Sequence, residues 1–482
     1  MNPAFRVAIV HYHYRPGGVT NVIQRTVEAL QPLNIAATVL FGRQPTQPID
    51  NISVCCLEGL DYDEKDSGSP DNLTEKMKTA AEAALGGAPD IWHIHNHALG
   101  KNMMLPAAVA KLAREGQRIL LQIHDFAEDG RPANYKRLRA AFGHGGPLQT
   151  TPLYPLADHV HYAVLNRRDQ SWLCSIGAEL RHVHWLPNSV PPEINNAKPH
   201  SQSGVKKWIY PTRAIRRKNI GEFLLWATLA KNDEQFAVTL APTNPNDCAI
   251  YERWKTLAAE WKLPVEFEVG LRANSAPWWQ QGNGVVTTSV AEGFGLAFLE
   301  PWMAGIPLVG RDLPDITCDL KSVGMDLSML YSRLAVPLKW LDATRLKDQV
   351  STRLSETWSA YGRKPPPDAT EQAWQAAVKG DTIDFGRLDE GTQETVIGLL
   401  REDATRIDAV QPSCLSIENS RRAVDKNSAC VQRQFNPQLY GDRLSAVYQD
   451  LLGSTVGIVK ALPMDALLDQ ALNPGRFNLL RT

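Results

Sequence analysis

Residues Gly284–Pro307 read GVVTTSVAEGFGLAFLEPWMAGIP, and this stretch decides how the chain is organised. Val285–Thr288 is a short β-branched run suited to a strand buried on both faces. A small-residue loop, Ala291–Gly295, follows. Leu296, Ala297, Leu299 and Met303 then give a helical apolar pattern that ends near Gly305, with Pro307 beyond. A strand, a glycine turn and a helix place backbone N–H groups at the helix start, where an anion is favoured. Glu292 precedes the turn and Glu300 lies inside the helical pattern, with residues 293–299 between them. Glu300 stands among core-forming neighbours, where an unpaired charge would be costly.

Outward from this centre the chain alternates between strand and helix patterns. Towards the N-terminus, Lys207–Tyr210, Phe236–Leu240 and Val265–Val269 read as strands, with Asn219–Ala230 and Cys248–Trp261 as helices. Between the first of these strands and its helix lies TRAIRRKN, with Arg213 and Lys218 at its ends. In the first part of the chain, Arg6–Val10, Ala37–Phe41, Ile52–Leu57, Ile91–His95, Arg118–His124, Val160–Leu165 and Val183–Leu186 read as strands. Thr20–Leu30, Leu73–Leu85 and Asn102–Arg114 read as helices, and Phe126–Thr151 as an irregular stretch. Such alternation predicts doubly wound parallel sheets whose ligands lie beyond the strand C-termini. Gly17 and Gly18 fall at a strand-to-helix turn, either an anion site or a plain tight turn. The pattern there is neither G-x-G-x-x-G nor a P-loop, which disfavours a nicotinamide dehydrogenase. The run VPPEINNAKPHSQSGVKK reads as a linker.

The string EGFGLxxxE after a strand resembles the Glu-x7-Glu signature of retaining glycosyltransferases with the GT-B fold, the GT4-like family. Other stretches carry the same resemblance: Gly17–Gly18, the His-Asp at His124, the LPN at Leu186–Asn188, Arg213 with Lys218, and the closing run CVQRQFNPQLYGDRLSAVYQDLL. It is strongest over 205–310 and weak over 318–410. It implies two facing Rossmann-like domains with a C-terminal helix crossing back to the first. The expected divisions are 1–190, a linker at 191–206, a nucleotide-sugar domain at 207–435 with a helical insert at about 318–410, and closing helices at 436–482. The resemblance further implies that Glu292 meets donor-sugar hydroxyls and that the Gly293, Phe294, Gly295 and Leu296 loop holds sugar and phosphate. Glu300 would grip the ribose, Arg213 and Lys218 the diphosphate, Gly17 and Gly18 would close over the diphosphate and acceptor, and His124 would lie near the reacting carbon. His124, Arg213, Lys218 and Glu292 are thus the candidate catalytic residues. Pro301 departs from the family, which has alanine there; inside a helix it removes a hydrogen bond and kinks the chain.

Composition sets bounds. Hydrophobic content of 43% and charged content of 21% are ordinary for a soluble enzyme, and a net charge of −1 argues against nucleic-acid binding. Seven scattered cysteines, with no Cys-x-x-Cys, fit reduced cytoplasmic thiols. No run is long and apolar enough for a spanning helix, while peripheral membrane contact stays open. All twelve histidines lie within the first 200 residues, many two apart, as in His93, His95 and His97. That spacing puts strand side chains on one face, as metal ligands or as packed core groups. The Asp61-x-Asp63 motif, within a polar run, reads as a solvated loop, so no metal is expected. The implied reaction moves a hexose from a UDP, GDP or ADP sugar to a small-molecule or glycan acceptor without a further cofactor. A phosphorylase, a sugar-nucleotide hydrolase and a non-catalytic nucleotide-sugar binder remain as alternatives, and acceptor binding or homo-oligomerisation as roles for the insert.

Overall fold

The computed structural model describes residues 4–15, 17–43, 53–63, 68–190, 205–271, 277–417 and 420–481. The chain forms two compact units. The first comprises 1–189, 360–362 and 435–472, and the second 190–359, 363–434 and 473–482. The last ten residues therefore cluster with the second unit, although the sequence reading placed all of 436–482 with the first. The expected linker at 191–206 lies almost wholly outside the described residues.

The first unit holds a seven-stranded parallel sheet in the spatial order Ser53–Cys56, Ala36–Phe41, Arg6–Val10, Ile91–His95, Ile119–Ile123, Val160–Val164, Val183–Trp185. Its central strands read as near-continuous apolar runs because helices cover both faces of such a sheet, and 91–95, 119–123 and 160–164 are buried throughout. The closing helix Pro437–Leu452 packs here. Leu444, Val447, Tyr448 and Leu451 join Val7, Ile9, Ile23 and Val27 in one core, and the Tyr440 and Thr26 hydroxyls share a 2.8 Å hydrogen bond. The irregular stretch expected over 126–151 contains the helix Pro132–Phe142. Its basic, glycine-flanked sequence hides a periodicity that places Tyr135, Leu138 and Phe142 inside.

The second unit has a six-stranded parallel sheet in the order Val265–Glu266, Glu234–Leu240, Lys206–Arg213, Gly284–Thr287, Leu308–Arg311, Leu330–Tyr331. The stretch expected to be a helical insert is only partly helical. Besides Ala343–Ala360, Ala369–Ala377 and Glu390–Glu402, it builds a small antiparallel sheet from Ala335–Pro337, Thr382–Asp384 and Val378–Lys379. That sheet is tied to the parallel one by charge. Arg311, at the end of its strand, donates to Glu222 Oε2 (2.6 Å), Asp384 Oδ2 (2.8 Å) and Asp384 Oδ1 (2.9 Å). Its side chain is 5% exposed and that of Glu222 0%.

Removing one partner of a buried ion pair leaves the other charges uncompensated, at a cost of about 3–5 kcal/mol. Arg311→Ala is expected to destabilise the second unit on that scale, read as a lowered thermal midpoint and earlier proteolysis within 205–434. A midpoint within a degree of the unsubstituted protein would refute it.

Candidate functional site

In the first unit, the helix Gly18–Leu30 begins directly after Gly17, whose backbone is extended and whose lack of a side chain leaves the helix without a side-chain cap. Gly18 is exposed, and a Cβ there would meet nothing within 4 Å. Pro16 lies outside the described residues.

His124 follows the strand Ile119–Ile123 and is buried. Its backbone N–H and that of Asp125 both donate to Asn96 Oδ1, at 2.7 and 3.1 Å, and Asn96 holds a left-handed φ of 52°. Its Nε2 lies 2.9 Å from His95 Nδ1, and the rings stack at 5.2 Å between centroids. His95 stacks in turn on His93, which binds Tyr448 OH (2.7 Å) through Nδ1 and Gln122 Oε1 (2.8 Å) through Nε2. His95 Nε2 is buried without a partner. Orphaned buried N–H groups are rarer than orphaned acceptors, so the proton belongs on His95 Nδ1, donating to His124. Burial lowers His124 to about 4 despite Asp125, and His93 to about 3. These imidazoles are neutral near pH 7.

The expected triple ladder stops at His95. Left-handed Asn96 turns the chain, and His97 Nε2 bonds Leu153 O at 2.9 Å. His161 likewise meets residues of another segment, with His184 Nε2 3.0 Å from its Nδ1 and the His182 ring 4.8 Å away. Among the described residues no three His, Cys, Asp or Glu side chains converge as a metal site requires.

The second unit gathers the charged candidates. Arg213 ends the strand Lys206–Arg213, is exposed, and donates from Nη1 to Ala241 O at 3.1 Å. Lys218 pairs with Glu292, their side chains 14% and 9% exposed. Ser289 Oγ donates to the same Glu292 oxygen at 2.6 Å. Tyr210 OH lies 2.9 Å from Ser289 Oγ and donates to Lys218 O at 3.0 Å, while Thr288 Oγ1 donates to Lys218 O (2.9 Å) and Asn219 O (3.1 Å). The Val290 N–H donates to Arg217 O at 2.9 Å. The basic loop and the loop entering the glycine turn are therefore stitched together. Burial pushes the Glu292 carboxyl up, but Lys218, Arg217 and the Ser289 hydrogen bond outweigh it and leave it below the usual carboxylate range.

Gly295 takes φ 79°, and a Cβ there would lie 2.8 Å from Phe298 Cδ2, so the turn excludes other residues. Gly293 and buried Phe294 precede it. The continuous helix expected from Leu296 is not formed. A 3-10 turn, Leu296–Phe298, comes first, and the α-helix runs only from Glu300 to Met303. Pro301 causes this division: in the first helical turn its missing N–H costs nothing, so it starts a helix and does not kink one. Half-buried Glu300 opens that turn.

The structure thus brings Lys218 and Glu292 into contact, with Arg213 at the end of the adjoining strand and Gly295 in the turn that follows. His124, Gly17 and Gly18 belong to the first unit. Sequence reasoning missed Ser289, Tyr210 and Arg217. A serine three residues before Glu292 was a readable signal; Tyr210, inside a strand, offered none.

No protein-family model matches the chain. It is 28% identical over 382 residues to the mannosylglucosyl-3-phosphoglycerate synthase of Petrotoga mobilis, spanning 72% of each chain. Among solved structures it is similar to a sucrose-phosphate synthase from Thermosynechococcus elongatus (TM-score 0.54, 15% identity, 93% of this chain and 99% of that one). It is also similar to Anabaena HepE in complex with UDP and glucose (0.52, 11%, 92% and 99%) and a Rickettsia africae glycosyltransferase (0.54, 10%, 94% and 100%).

Buried imidazoles with lowered pKa values make the first unit acid-labile. Between pH 6.5 and about 4 the unfolded chain binds protons at His11, His93, His97 and His124 that the folded chain refuses, so stability falls as pH falls through that window. Glu128, pushed up by burial to about 8, acts oppositely and removes stability as pH rises from about 4.5 to 8. Thermal unfolding as a function of pH should show a steep acid limb and a shallower alkaline one. A midpoint flat from pH 7 to 4.5 would contradict the buried neutral histidines.

Proposed function

We propose that the chain, which shares the GT-B fold of those solved structures, transfers a hexosyl group from a nucleoside-diphosphate sugar to an acceptor hydroxyl, with retention of configuration and without a metal. The observation that carries this reading is the contact of Lys218 with Glu292 at the C-terminal end of a parallel sheet, beside Arg213 and the Gly295 turn. Loss of the nucleoside diphosphate develops negative charge, and fixed cations aimed at that charge lower the barrier. Arg213 and Lys218 serve it, with the backbone of Gly293–Leu296 alongside. Glu292, held ionised, is an acceptor for donor-sugar hydroxyls, and Glu300 for the ribose. His124, neutral and with its proton assigned to Nδ1, suits a hydrogen bond to sugar or acceptor and not a charge role. No side chain is assigned as a covalent nucleophile; the acceptor hydroxyl reacts through positioning.

The relative from Petrotoga mobilis is named for a product in which a hexose is joined to a glucosyl phosphoglycerate. Its identity over 382 residues supports an acceptor of that class, a sugar bearing an anionic group, and favours a transferase over a phosphorylase or hydrolase. Incubation of GDP-, UDP- and ADP-hexoses with glucosylated phosphoglycerate, with EDTA present, is expected to give one product heavier by a hexosyl unit. Release of free hexose alone, or turnover that requires phosphate, would instead identify a hydrolase or a phosphorylase.

Arg213→Ala and Lys218→Ala are each expected to raise the barrier by about 3–4 kcal/mol, the scale of removing one oxyanion donor. Turnover within threefold of the unsubstituted enzyme would remove them from the diphosphate site. Glu300→Ala should mainly weaken nucleotide binding, read by calorimetry, and an unchanged Kd would remove it from the ribose.

A further inference from the structure

The helix Glu390–Glu402 lies in the stretch whose role the sequence left open. It starts at Asp389, which accepts a hydrogen bond from the Thr392 N–H. Two side chains of its first turn reach the basic loop. Glu390 accepts from Arg216 Nε and Nη2 at 2.5 and 2.9 Å, a two-pronged pair with side chains 21% and 24% exposed. Buried Gln393 donates from Nε2 to Asn219 Oδ1 at 2.9 Å and to Phe385 O at 3.1 Å. Asn219 ends the loop in a left-handed conformation, φ 52°, and caps the helix Ile220–Thr228. The approach is close enough to require glycine next to it, since a Cβ on Gly221 would lie 2.1 Å from Gln393 Oε1.

One helical turn therefore holds the two residues that flank Arg217 and Lys218. Arg216 is turned towards Glu390 by a two-pronged pair. We propose that the start of the 390–402 helix is a positioning element for the donor site: Glu390 through Arg216, and Gln393 through Asn219, fix the loop that presents Arg213, Arg217 and Lys218 to a nucleoside diphosphate. The inference rests on the reading of that loop as the diphosphate cradle.

Charge accounting and positioning predict opposite signs, which makes the test decisive. Glu390→Gln removes a negative charge near a polyanion site and frees Arg216, so electrostatics alone tightens nucleotide binding. Positioning weakens it.

The experiment is titration calorimetry of the full chain with UDP, GDP and ADP, well below the unfolding transition, for Glu390→Gln, Arg216→Met, their combination and Gln393→Leu. The expected result is a Kd for the wild type's preferred nucleotide raised about tenfold in each single variant. The combined variant should be no weaker than the worse of its two singles, because both remove one contact. Unchanged or tighter binding by Glu390→Gln, or losses that multiply in the combination, would overturn the proposal. Arg213→Ala separates the two readings. If it weakens binding while Glu390→Gln does not, only the positioning role fails; if the wild type binds none of the three nucleotides, the cradle fails and the positioning role with it. Should Gln393→Leu not fold, the partly exposed Glu390–Arg216 pair still decides.

Discussion

Arg311 is the residue on which the second unit depends. Its guanidinium, almost wholly out of water, is shared between Glu222 on the helix Ile220–Thr228 and Asp384 on a strand of the small antiparallel sheet. A lone buried cation would be intolerable, so carboxylates answer it, and Arg387 and Arg333 also act on Asp384. Neutral donors complete the network. Tyr331 OH donates to Glu222 Oε1 at 2.7 Å, Asn219 Nδ2 donates to Glu222 Oε2 at 2.7 Å, and the Leu334 and Gly386 N–H groups donate to Asp384. Burial pushes Glu222 up, whereas for Asp384 the pull of Arg311 outweighs burial and holds the carboxyl below its usual range. Gly386 lies against the guanidinium, where a Cβ would come within 2.4 Å of Arg311.

Apolar residues of the same volume often stabilise a fold as well as a buried ion pair does, so stability alone does not account for this network. Direction does. Hydrogen-bonded charges accept one arrangement of their elements, whereas an apolar contact tolerates sliding. Here the arrangement fixed includes the end of a parallel strand, the start of the helix after the basic loop, and the strand that precedes the 390–402 helix. Asn219 belongs to the network and to the loop at once, through Glu222 on one side and Gln393 on the other. Asp384 of the antiparallel sheet is thus linked to Lys218 through the hydrogen bonds of Arg311, Glu222 and Asn219 and one peptide bond.

The parallel strands were legible because burial on both faces writes itself as an apolar run, as at 7–10 and 119–121. The glycine turn between the glutamates was legible because its φ of 79° permits little else at Gly295. The helix after it was misplaced because Leu296, Leu299 and Met303 have helical spacing, which a 3-10 turn followed by a short α-helix satisfies equally well. Helix 132–142 was hidden by a basic surface that outweighs its four core positions. The Arg311 network carried no signal at all. Its members are 89 and 73 residues apart, and no local periodicity records which distant carboxylate a buried arginine will meet. For the same reason the sequence singled out Lys218 but did not tell Arg216 from Arg217, although tertiary contacts give these two different partners.

That difference bears on how a donor is received. Arg216 is neutralised by Glu390, and Lys218 by Glu292. Arg213 makes its hydrogen bond to a neutral carbonyl, and Arg217 Nε is buried with no hydrogen-bond partner. Arg217 also acts on Glu292, so under the proposed reaction Arg213, set against a neutral carbonyl, would draw in a diphosphate first. Under the proposed reaction, Lys218 is then divided between phosphate and Glu292, and each gain on the phosphate side loosens its hold on the carboxylate. Ser289 keeps Glu292 in place through that change, since its hydrogen bond to the carboxylate does not involve the Lys218 ammonium. On that reading Glu292 would be left ionised and oriented, with acceptor capacity released for sugar hydroxyls as the leaving group is engaged. A carboxylate freed by an arriving phosphate would couple recognition of the sugar to recognition of the nucleotide.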